Sequence, residues 1–135
     1  MVRWFQRRAR VVGILADLER PYVELWRDDA GLLLASWVGI AGAAQRWLVA
    51  RVTRAAVDAL GDGEVSLAEA FAHAGATAWW VVDRAGERVV RSHALARADV
   101  AGDLLPIDIM LTRAAWHAAP APRDLADAAP EAASP

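Results

Sequence analysis

Between residues 3 and 19 apolar side chains recur at helical spacing. Trp4, Val11, Leu15 and Leu18 form the stripe, with Phe5 and Val12 beside it. This predicts a helix, which Pro21 ends. Tyr22 to Arg27 then alternates apolar and polar residues, as a half-buried strand does. Asp28-Asp29-Ala30-Gly31 makes a turn, and Leu32 to Val38 reads as the return strand. Gly31 suits the positive φ that a bulged hairpin turn needs.

Gly39 to Gly42 reads as a loop, and Ala43 to Leu60 as a second helix. In that helix Leu48, Val52, Ala55 and Ala59 share a face and Gly61 caps the end. The rival reading of part of this span is a strand from Trp47 to Thr53. Ser66-Leu67-Ala68-Glu69 has the capping-box pattern, so a short helix starts there and ends by Gly75. Thr77 to Asp83 is rich in β-formers. Its Trp79-Trp80-Val81-Val82 core is apolar on both faces, as in a strand covered twice or one at an interface. Arg88 to His93 pairs back across Arg84-Ala85-Gly86-Glu87. Residues 94 to 102 take no clear assignment. Asp103 or Asp108 caps a last helix to about Ala118. Residues 119–135, with Pro120, Pro122, Pro130 and Pro135 among alanines and acids, read as a disordered tail.

The chain echoes itself. Asp28-Asp29-Ala30-Gly31 returns as Asp83-Arg84-Ala85-Gly86, and Thr53-Arg54-Ala55-Ala56 as Thr112-Arg113-Ala114-Ala115. The order suggests a duplicated unit of hairpin, connection and helix. The expected fold is therefore α+β. Two β-hairpins form a small antiparallel sheet with helices mainly on one face, in one domain over 1–118 followed by the tail.

Composition narrows the function. The chain has 135 residues, 56% hydrophobic and 24% charged, with a formal net charge of −2, which is globular and argues against bulk nucleic-acid binding. All 15 basic residues are Arg. Cysteine is absent, which excludes disulfides, thiolate metal sites and a Cys nucleophile. The basic N-terminus lacks the apolar segment of a signal peptide. The uncharged stretch 30–45 carries three glycines and is short of the about 20 residues a spanning helix needs, so it reads as a buried strand plus a loop. A cytoplasmic location is the default expectation.

His73, His93 and His117 form no metal-binding spacing. Ser92 and His93 are adjacent, so on a strand they face opposite ways, and no nucleophile elbow is present. Asp99, Asp103 and Asp108 read as caps or loop residues. No cofactor, metal or catalytic motif stands out, and the reading leans away from an enzyme. The seven tryptophans suit core packing and a protein interface. The expectation is a small interaction or adaptor module, self-associating through Trp79 or Trp80, since a chain this small has few helices to cover that strand. The alternative is a peripheral binder of nucleic acid or anionic membrane acting through Arg3, Arg7, Arg8 and Arg10. A second alternative is an enzyme or ligand binder whose site assembles only in three dimensions.

Overall fold

The first apolar run is extended rather than coiled. Ala9–Leu18 forms strand β1 of the computed structural model, which describes residues 9–18, 20–72, 78–96, 106 and 108–127. The helical spacing of its apolar residues has a different cause. Register shifts between Val11 and Gly13, Ile14 and Ala16, and Ala16 and Asp17 each displace the pleat. Ala9, Val11 and Ile14 consequently share one core and Leu15 joins another. Bulges have turned a period of two into something resembling a helix. The expected helix over 3–19 is corrected on its described part; Arg3, Arg7 and Arg8 lie outside the described residues.

The other elements follow as β2 (Arg20–Asp28), β3 (Gly31–Ala41), β4 (Ala44–Val52), α1 (Arg54–Gly61), α2 (Leu67–Ala72), β5 (Ala78–Ala85), β6 (Arg88–Ala96), a 3-10 turn (Arg113–Ala115) and β7 (His117–Asp127). The strands close a barrel in chain order. All neighbours are antiparallel except β6 and β7, which run parallel. This replaces the expected small sheet with helices on one face.

Two apolar layers explain the uninterrupted runs. The barrel interior is filled by Val11, Ile14, Trp26, Leu33, Ala35, Trp47, Val49, Val82, Val89 and Leu125. Outside it, Val57 and Leu60 of α1 and Leu67, Ala70 and Phe71 of α2 pack on Val23, Leu34, Leu48, Ala50, Trp79 and Val81. Strands β2 to β5 therefore bury residues on both faces, so their sequences do not alternate. This is why Trp47 to Val52 reads as readily as a helix. The helix expected over 43–60 is a strand up to Val52 and a helix only from Arg54.

Thr53 marks the change. Its Oγ1 accepts from the Ala56 amide at 3.1 Å, an N-cap. At the other end of α1, Arg113 donates to the Asp58 carbonyl at 3.3 Å and lies 3.4 Å from an Asp62 carboxylate oxygen. A cation here complements the helix dipole. The capping box is present in α2: the Glu69 carboxylate accepts from the Ser66 amide at 2.9 Å, and Ser66 Oγ from the Glu69 amide at 3.2 Å.

The echo does not describe a repeated unit. Asp28 pairs with Gly31 across the loop Asp29-Ala30, with Gly31 at φ 137°. In the second hairpin Ala85 pairs with Arg88 across Gly86-Glu87, so Asp83 lies within the strand. Strand β4 stands after the first hairpin where the duplicate needed a connection. Both Thr-Arg-Ala-Ala segments begin a helical turn, but the second is only a 3-10 turn, not a helix to Ala118. Residues 119–127, expected in a disordered tail, belong to β7. Between the pairs Val11–Arg123 and Gly13–Ala118, β7 spends four residues opposite one of β1. Pro120 and Pro122 lie in that excursion, where no ladder donor is required.

Candidate functional site

The barrel interior holds an ion pair. Glu24 and Trp26 alternate inward on β2, and Arg84 reaches them from β5. Arg84 Nη1 donates to Glu24 Oε1 at 3.0 Å, and Trp26 Nε1 donates to the same oxygen at 2.8 Å. Glu24 is 1% exposed and Arg84 7%. The guanidinium lies 5.4 Å from the Trp26 ring centre and 4.8 Å from that of Trp47. The two rings are 5.9 Å apart and inclined at 55°. Such faces attract a cation, the more so when desolvated. Arg84 thus occupies an aromatic cage made by its own chain, with Glu24 as counter-ion. Sequence reading missed this cluster, because Glu24 and Arg84 are 60 residues apart and meet only across the barrel interior, and Arg84 reads as a turn residue where it belongs to β5.

A second polar cluster closes the barrel near the β2–β3 turn. Asp28 takes both terminal nitrogens of Arg51, at 3.0 and 2.7 Å, and accepts from the amides of Ala30 and Gly31. Burial pushes the Asp28 carboxyl up, but the Arg51 guanidinium and the two amides outweigh it and hold it below its ordinary value. Arg51 also lies 6.0 Å from the Trp80 ring centre. Next to this turn is an open cavity of about 440 Å³ lined by Arg10, Arg27, Asp28 and Asp29. Arg10 and Arg27 are exposed and directly opposite each other across β1 and β2. Of the four expected N-terminal arginines, Arg10 is the one within the described residues, and it stands on a strand.

The third feature is an edge. Strand β6 pairs with β5 along its length, yet it meets β7 at only Arg88 and Val89. Val90 is the extra residue of a bulge between Asp83 and Arg84. From Val90 to Ala96 the side of β6 turned towards β7 carries no ladder among the described residues. Val90, Arg91, His93 and Ala94 are all exposed. Ala94 stands opposite Trp80, which packs towards the barrel interior, and its exposure marks a gap in the wall. Asp83 is held by Arg46 at 2.8 and 3.0 Å, leaving Arg91 3.9 Å away with its side chain 70% exposed.

Trp79 and Trp80, the expected interface residues, fall on opposite faces of β5. Trp79 is buried against Phe71 of α2, edge-on at 5.5 Å. Trp80 is partly buried against the interior layer. α2 thus covers the outer face of β5 at Trp79, while Trp80 stays partly exposed on the inner face. His93 and His117 are exposed on different strands, and His73 lies outside the described residues. Among the described residues no group of three or more His, Asp or Glu is placed to hold a metal ion. None of the helices described is long and apolar enough to cross a membrane; 30–45 is strand, turn and strand. Comparison with protein families, curated proteins and solved structures finds no match to this chain.

Proposed function

We propose that this protein is a non-enzymatic interaction module that binds by strand addition at the open edge of β6. The carrying observation is that, among the described residues, the ladder with β7 stops at Val89 while β6 runs on to Ala96, with Val90, Arg91, His93 and Ala94 exposed. An unpaired edge presents a row of amides and carbonyls that a further extended strand satisfies directly. The interior supports a scaffold role. Its buried charges, Glu24 and Arg84, are bound to each other and lie against tryptophans.

A photoreactive residue placed at Ser92 tests this in native lysate, with one at Asp62, beyond α1, as the control. Adducts formed from Ser92 and not from Asp62, including adducts with a second copy, are the expected result. Equal labelling from both positions, or none from Ser92, overturns the reading.

A second reading rests on the cavity beside the β2–β3 turn. Arg10 and Arg27, opposite each other across β1 and β2, line it together with Asp28 and Asp29, and two adjacent guanidinium groups suit an anion. This keeps a polyanion-binding role in view, now centred on Arg10 and Arg27. Retention on heparin that falls steeply with salt, and is lost in Arg27→Glu, supports it. Retention unchanged in that variant removes it.

A further inference from the structure

The side chains along β6 select what can lie beside it. On the outer face, Arg91 stands opposite Asp83 and His93 opposite Val81. Both are exposed; Asp83 is held by Arg46 at 2.8 Å and pairs only loosely with Arg91, at 3.9 Å. On the inner face Ser92 stands opposite Val82 and Ala94 opposite Trp80, next to the gap. The exposed stretch from Val90 to Ala94 contains no acid. A second copy of β6 paired about Arg91 would set arginine against arginine, and like charges directly opposite destabilise a strand pair.

We infer that the occupant of this edge is an extended segment with an acidic residue at every second position and small apolar residues between. On the outer face one acid pairs with Arg91 and the next accepts a hydrogen bond from the His93 ring. Its apolar residues close the gap over Ser92 and Ala94. Main-chain hydrogen bonds supply affinity, and the alternate side chains supply selection. The inference rests on the strand-addition reading and specifies its partner.

Two capped eight-residue peptides test it, one alternating Glu with Val and one alternating Lys with Val. Hydrogen exchange of the full chain is followed residue by residue, with binding measured by titration. The Glu peptide is expected to slow exchange over Val90–Ala96 and to bind roughly fivefold more tightly than the Lys peptide. Arg91→Glu should reverse that preference, a readout that a damaged fold cannot produce. Equal protection by both peptides overturns the acidic partner and leaves strand addition standing. Protection that rises with protein concentration alone assigns the edge to a second copy and likewise overturns the acidic partner. No protection by either peptide overturns both readings.

Discussion

Arg84 is the side chain on which the interior depends most. Removing one member of a buried ion pair strands the other, at a cost of about 3–5 kcal/mol. Arg84→Met should therefore lower the unfolding free energy by about that much in urea denaturation. The double variant Glu24→Met with Arg84→Met should recover most of it, since no charge is left stranded. It should still fall about 1–3 kcal/mol short of the parent, because Trp26 Nε1 loses its Glu24 acceptor. Additive losses in the double variant would show that the pair does not act as a unit. Asp28 gives a pH-dependent counterpart. Its carboxyl titrates below the ordinary 3.8 in the folded chain, so the folded state favours its ionised form. That stabilisation is complete above the unfolded value and disappears as pH falls through the lower folded one. The stability advantage of the parent over Asp28→Asn should be constant near neutrality and shrink in acid. An advantage that grows on acidification contradicts the assignment. Neither pair was legible in the sequence. Asp28 reads as a turn residue, which it is, but its link to Arg51 needs strands β2, β3 and β4 in register.

At the scale of elements, local signals held where local chemistry decides. Ser66 starts a helix because its hydroxyl accepts a nearby amide, a matter of three residues; Thr53 does the same for α1 where the sequence reads as mid-helix. Ser66→Ala should cost about 1 kcal/mol, read as a lower urea midpoint with unchanged slope, and an unchanged midpoint would mean the box adds nothing. The two hairpins were legible from Gly31, Gly86 and the β-formers around them. Signals failed where periodicity decides. Bulges hid the alternation of β1, and burial on both faces erased it in β4. The Asp-x-Ala-Gly echo misled for a related reason: identical letters took different registers, with Asp28 at a turn corner and Asp83 in a strand beside Arg46. The β6 edge was invisible for another reason. Whether a strand has a neighbour on its second side is a property of the closed sheet, not of the strand.

At the scale of the whole molecule, closure depends on the segment that composition made look dispensable. Alanine and proline give β7 little β-propensity, and the strand is held instead by position. Arg123, Asp124 and Leu125 continue the ladder of β1, and Ala126 and Asp127 join it to β6. Ala119 and Leu125 enter the interior layer that surrounds Trp26 and Val89. A chain ending at residue 118 would expose that layer and leave β1 as well as β6 with a bare edge. It should lose cooperative unfolding and bind a hydrophobic dye, in contrast to what a disordered tail implies. Loss of the segment also removes many contacts at once, so a point change is the sharper test. Leu125→Ala leaves the ladder intact and takes only the side chain from the interior, which should cost about 2–5 kcal/mol. Because Leu125 is adjacent to the two residues that meet β6, exchange over Arg88 and Val89 should quicken in that variant more than exchange over Ala44–Val52 on β4. A truncated chain as stable as the parent, or a Leu125→Ala variant with the parent's stability, would mean that the barrel is closed without β7.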